Sequence, residues 1–109
     1  MKKTSNKNIY EECPVEKTLQ ILGGKHTTLI IRDLLTGTKR FGELQKSMPF
    51  VSTKTLSERL SFLASEKIVK RKAYKTVPLK VEYSLTELGK TLEPIIEQMR
   101  VWGINKVKN

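Results

Sequence analysis

A single cysteine, Cys13, and a single histidine, His26, are all the soft metal ligands the sequence offers. One cysteine excludes an intramolecular disulfide framework and a cysteine-rich zinc site, and one histidine leaves too few donors for a transition-metal centre. Neither a metal nor a cofactor is expected. His26 has no Gly-x-Ser-x-Gly motif or similar nucleophile beside it, so no catalytic site, and no enzyme, is read from the chain. No apolar run approaches the roughly 18 residues that a membrane span requires. No apolar stretch follows the charged start, residues 1–8, which leaves no signal peptide to read and points to a cytoplasmic protein. Repeats and low-complexity segments are also absent. With 38% apolar and 29% charged residues, the composition is that of a folded domain.

Acidic residues are the scarce charge. The chain has 21 Lys and Arg against 11 Asp and Glu, for a net +10. The surplus is uneven: residues 1–38 carry +2 and 81–109 carry zero, whereas 39–80 hold eleven basic and three acidic residues, for +8. A basic middle between nearly neutral ends is the footprint of a polyanion-binding surface. Charge that served solubility alone would be spread more evenly.

Along the chain, residues 1–8 read as a flexible tail and 9–109 as one domain. Pro14 suits a first helical position, which makes Cys13 the N-cap of a helix with Val15, Leu19 and Leu22 at helical spacing, closed by Gly23-Gly24. Residues 26–35 form a helix apolar on most sides, hence central to the core. A short helix follows with Phe41, Leu44 and Met48 inward, stopped by Pro49. Ser52 then caps a helix over 53–65, with Leu56, Leu60 and Leu63 as its buried stripe. Two helices separated by this turn make a helix-turn-helix. Residues 68–74 and 79–85 alternate as strands joined by a tip at 75–78, a hairpin wing. Thr86 caps a long last helix with Leu88, Leu92, Ile95, Ile96, Met99 and Trp102 on one face, of which Leu88 and Leu92 pack on its own domain, bent at Pro94. The fold class expected is mainly α with a small β-hairpin wing, a winged helix-turn-helix.

Five motifs carry a family resemblance: Cys13-Pro14-Val15-Glu16, Leu22-Gly23-Gly24-Lys25, Arg40-Phe41-Gly42-Glu43-Leu44, Leu56-Ser57-Glu58-Arg59-Leu60, and Val77-Pro78-Leu79-Lys80-Val81-Glu82-Tyr83-Ser84-Leu85-Thr86. In this order and spacing they resemble the HxlR-type winged helix-turn-helix regulators, from about Cys13 to Gly103. The resemblance implies a dimeric transcription factor related at fold level to the MarR-type regulators. It also implies that the N-terminal cysteine senses oxidants or electrophiles in some members. One departure is visible: His26 stands where the family usually has Trp after Gly-Gly-Lys.

On this reading the helix over 53–65 enters the major groove N-terminal end first. Its outward positions are Ser52, Thr53, Lys54, Ser57, Glu58 and Ser61. Lys54 is suited to guanine or phosphate, and the hydroxyls to bases or backbone. Glu58 either accepts from cytosine N4, orients Arg59, or makes an i,i+4 contact on the helix surface. Lys75, Thr76 and Lys80 of the wing, with Lys39 and Arg40 before the short helix, are the candidates for phosphates. Six phosphate contacts would give a log–log salt slope of about −5. A homodimer on an inverted repeat would place two such helices about 34 Å apart, with Ile95, Met99 and Trp102 of the last helix as the interface. Cys13 at a helix N-terminus is a redox-sensing candidate, or else a small residue that packs the first helix.

Three other readings stand beside this one. A ligand-sensing regulator without redox switching would keep the DNA claim and change the signal. An RNA-binding winged helix would need exposed aromatics, for which Tyr74 alone is placed near the basic region. A protein-interaction module has no use for the concentrated charge.

Overall fold

The computed structural model describes residues 13–108, so the reading of residues 1–8 as a tail lies outside the described residues. Pro14 opens helix α1 (Pro14–Leu22) with Cys13 as N-cap. The proline ring fixes the backbone angle a helix needs, and its missing N–H falls where none would be bonded. Only Leu22 of α1 is buried, while Val15 and Leu19 stay exposed.

Helix α2 (Thr27–Leu35) buries Thr27, Ile30, Ile31 and Leu34, and is the centre of the core as its all-round apolar sequence requires. It starts one residue later than expected, because His26 adopts a left-handed backbone, φ 61°, and serves as the N-cap.

A two-residue strand β1 (Lys39–Arg40) leads into α3 (Phe41–Ser47) and then α4 (Thr53–Ser65). Ser52 caps α4, its Oγ accepting from the Thr55 N–H at 3.1 Å. Leu56, Leu60 and Leu63 face the core. Lys67 turns left-handed, φ 64°, and the Ile68 N–H bonds back to the Leu63 carbonyl at 2.9 Å, which ends α4 and starts the hairpin.

Strands β2 (Val69–Tyr74) and β3 (Lys80–Leu85) form the wing, each one residue shorter at its start than the alternation suggested. They pair antiparallel from Val69–Leu85 to Tyr74–Lys80. β1 adds to the other side of β3 through Lys39–Tyr83 and Arg40–Glu82, so the sheet has three strands in the order β1-β3-β2. Two residues are too few for a periodic signal, so β1 was not read from sequence.

The expected single long helix is two: α5 (Glu87–Lys90) and α6 (Glu93–Lys108). Thr86 caps the first, accepting from the Gly89 N–H at 2.9 Å while its hydroxyl donates to the Lys67 carbonyl at 2.6 Å. Pro94 is the second residue of α6, where no intrahelical donor is lost, so it helps start a helix and does not bend one. Leu88 was expected on the inner face with Leu92; Leu92 is buried, but Leu88 is 55% exposed. The reason is Gly89, which is the buried residue of α5. A Cβ there would run into the Ile68 carbonyl, so the glycine lets the turn lie directly on the backbone and rotates Leu88 outward. Among the described residues, no helix is long and apolar enough to cross a membrane.

Candidate nucleic-acid interface

The geometry between α3 and α4 is held by a side chain with no hydrophobic signature. Gln45 donates from Nε2 to the Val51 carbonyl at 2.6 Å and the Met48 carbonyl at 3.3 Å, and its Oε1 accepts from the Thr53 hydroxyl at 3.1 Å. With Val51 and Met48 buried, the turn is fixed from both the core and the surface. The Ser52 and Thr53 hydroxyls thus already serve the α4 cap and the turn, while both residues remain exposed.

Lys54, Ser57, Glu58 and Ser61 share the outward face of α4, opposite the Leu56–Leu60–Leu63 stripe, and all four are exposed. Among the described residues they form no side-chain ion pair. Glu58 therefore does not pair along the helix, nor does it hold Arg59. The Arg59 guanidinium lies over the Phe62 ring, 5.3 Å from its centroid, and packs against Gly24 in the turn after α1. Arg59 is thus turned to the flank of α4, apart from the other four.

Strand register sorts the wing. Lys70, Lys72 and Tyr74 share one face of the sheet with Lys80, Glu82 and Ser84, and Arg71 shares the other with Tyr83. Arg71 faces α4: with Tyr83, Ser57, Leu60, Ser61 and Ala64 it lines a cleft of about 440 Å³ between that helix and the sheet. Strand alternation alone separates Arg71 from Lys70 and Lys72, and the packing of the sheet on α4 shows which side borders the outward face. Lys39, paired with Tyr83, belongs to the Arg71 side, and Arg40, paired with Glu82, to the other. The Arg40 N–H donates to Glu43 Oε1 at 2.8 Å, which secures the start of α3.

Lys75 and Thr76 are exposed at the tip, where the Thr76 hydroxyl donates to the Pro78 carbonyl at 2.7 Å and the Val77–Pro78 peptide is cis. Lys80 is drawn back along the strand. Its Nζ lies 3.4 Å from Glu82 Oε2 and 4.7 Å from the Tyr74 ring centroid, with Lys72 Nζ 4.9 Å from the same ring. The Tyr74 hydroxyl donates to Glu82 Oε1 at 2.9 Å. That hydrogen bond, helped by the positive charges of Lys80 and Arg40, holds the Glu82 carboxyl below its ordinary value. Tyr74 is therefore occupied by cations and a carboxylate. Phe50, in the turn before α4, is the exposed aromatic near the basic region that the sequence reading passed over.

Away from this surface, α6 buries none of its residues fully. Ile95 and Met99 are 42% and 47% exposed and Trp102 68%, with Val101, Ile104 and Val107 also exposed. Cys13 is half-buried at the N-cap of α1, with no side-chain hydrogen bond to the helix. No group of three His, Cys, Asp or Glu among the described residues is placed to hold a metal ion.

Comparison with known proteins gives consistent results. The model of the HxlR-like helix-turn-helix family matches residues 21–109. YybR, an HTH-type transcriptional regulator of Bacillus subtilis (strain 168), is 46% identical over 103 residues, covering 92% of this chain and 82% of that protein. The redox regulator HypR in its oxidized form superposes with a TM-score of 0.79 at 45% identity, over 85% of this chain and 96% of that one. Diamide-treated YodB from B. subtilis gives 0.74 at 38% identity, over 85% and 93%.

Proposed function

The chain belongs to the HxlR-like helix-turn-helix family and is a transcriptional regulator, and on that footing we propose that it binds an inverted-repeat duplex as a homodimer and responds to oxidants through Cys13. The observation that carries the DNA claim is the surface where Lys54, Ser57, Glu58 and Ser61 stand exposed, with no ion pair among the described residues, beside the Arg71 cleft. That surface belongs to the segment holding a net +8. Lys54, Ser57, Glu58 and Ser61 read base edges. Arg71, Lys39 and the tip residues Lys75 and Thr76 meet phosphates, whereas Arg40 and Lys80 lie on the opposite sheet face beside Glu82. Phosphate contacts set affinity and register, and base contacts set the sequence. Arg59 acts from the flank, by holding α4 against the turn after α1.

The dimer claim rests on α6. Ile95, Met99 and Trp102 recur at helical spacing and are left 42%, 47% and 68% exposed by the other described residues, and Val15 and Leu19 of α1 add further exposed apolar surface. A second copy supplies the missing partner.

The redox claim rests on Cys13 being half-buried at the N-cap of α1, where its thiol keeps part of its surface open to an oxidant or a second thiol. The similarity to the redox regulator HypR adds to it. Because the chain has one cysteine, two thiols can meet only across subunits or with a small thiol. Diamide would accept two hydrogens from the pair as the S–S bond forms.

The test is an anisotropy titration on duplex DNA flanking the chain's own gene, at two salt concentrations, with and without diamide. Salt-sensitive binding to an inverted repeat, abolished by diamide and restored by thiol, is the expected result. A Cys13→Ser protein that still releases its operator under diamide would refute the switch. Specific binding indifferent to diamide would favour an organic effector instead, for which the cleft of about 240 Å³ between α2 and α6, lined by Leu29, Arg32, Ile96, Met99 and Arg100, is one candidate site.

A further inference from the structure

Phe50 is a large apolar side chain left 67% exposed in the turn between α3 and α4, two residues before the Ser52 cap. It is braced from two directions. The His26 ring meets it edge-on, with centroids 5.6 Å apart and planes at 63°. The next residue, Val51, is buried, and its carbonyl is held by Gln45 at 2.6 Å. His26 occupies a left-handed backbone, φ 61°, a conformation uncommon outside glycine. A strained residue therefore supports an exposed aromatic, on the side of the molecule where α4 begins. Lys25, which precedes His26, and Lys54, the second residue of α4, are both exposed.

We infer that Phe50 is the apolar reader of this interface: it packs on the C5-methyl group of a thymine at the edge of the major groove, with His26 as its positioning residue. The inference rests on the DNA-binding reading above. The thymine methyl is the apolar feature the major groove presents, and the exposed Lys25 and Lys54 are the cations available to neighbouring phosphates. Phe50, Ser52, Thr53 and Lys54 are all exposed, on either side of the buried Val51. A ring at its margin lies where a helix entering N-terminal end first meets the groove wall.

The experiment selects a duplex operator from a random library with the full chain, then replaces thymines by uracil one position at a time in both half-sites. Uracil removes the methyl and nothing else. Burial of one methyl group corresponds to about fourfold in affinity per half-site. The wild type should lose that factor at one thymine position per half-site. Phe50→Ala should bind the thymine operator more weakly and show no further loss with uracil. His26→Ala should narrow the thymine-to-uracil ratio, whereas a purely structural role would lower its melting temperature and leave the ratio unchanged. If uracil has no effect at any position, or if its effect persists in Phe50→Ala, the inference is overturned and duplex binding stands. If the library yields no preferred duplex, or single strands bind more tightly, both readings fall together.

Discussion

Trp102 is the one tryptophan of the chain, and 68% of its surface is open to solvent on a helix with no fully buried residue. If α6 forms the homodimer interface, covering that fraction removes roughly 150 Å² of indole per subunit from water, about 4 kcal/mol at ~25 cal/mol per Å². A two-fold dimer doubles this. Ordering of side chains and imperfect polar pairing take back a large share, and allowing half leaves about 4 kcal/mol per dimer. Trp102→Ala should then raise the dimer dissociation constant about a thousandfold. Sedimentation velocity over a dilution series would measure that constant for both proteins. The same indole is an internal reporter, because its emission in the wild type should move to longer wavelength as dilution exposes it. Emission that stays that of a water-exposed indole at every concentration, with dimers present, would place the interface elsewhere and refute the reasoning.

Arg71→Ala should reduce the slope of log affinity against log salt by about 1.8 for the dimer, one phosphate contact per subunit; titrations at four salt concentrations would show it, and an unchanged slope would assign Arg71 to packing against α4. The Thr27 hydroxyl is fully buried with no hydrogen-bond partner among the described residues, so Thr27→Val should stabilise the fold by about 1 kcal/mol, read from urea midpoints; a loss of stability would mean the hydroxyl is bonded. Glu82 has its carboxyl held below its ordinary value of 4.5, first by the Tyr74 hydroxyl and then by Lys80 and Arg40. Its stabilisation is therefore present above that value and is lost as pH falls through the lower, folded-state value. Glu82→Gln should be less stable than wild type near neutrality, with the difference in melting temperature vanishing in acid; a difference independent of pH would contradict the assignment.

What the sequence made legible is the part governed by local chemistry. Pro14 at a helix start, Ser52 and Thr86 as caps, the leucine stripe of α4 and the alternation of β3 each follow from rules acting within a few residues. The misreadings share a different origin. The inner face of α5 is set by Gly89, which has no side chain to signal burial, so the apolar pattern pointed to Leu88 instead. β1 exists because β3 is there to pair with it. The break between α5 and α6 was hidden because Pro94 reads equally well as a bend within one helix and as an early residue of a new one. At the candidate site, the outward residues of α4 were accessible to helical periodicity. The direction of Arg71, the flank position of Arg59 and the bracing of Phe50 by His26 depend on how separate elements meet, and Gln45 acts through bonds that polar character alone does not announce.

The two surfaces invoked here also differ in the physics that holds their partners, and that difference makes the regulator reading separable into parts. The basic excess lies in residues 39–80, around α4 and the wing, whereas residues 81–109 carry no net charge. On α6, Arg100 is closed on Glu97 by two hydrogen bonds of 2.6 and 3.0 Å, leaving a face dominated by uncovered apolar side chains. Counterion release makes binding at the first surface fall steeply with salt. Apolar burial at the second is indifferent to moderate salt and is strengthened by sulfate or phosphate. Raising potassium chloride at fixed protein concentration should therefore strip the DNA from an intact dimer, with the anisotropy of labelled DNA falling while the Trp102 emission holds. Simultaneous loss of both signals would mean that charge also holds the subunits together, and would move the interface from α6 to the basic segment.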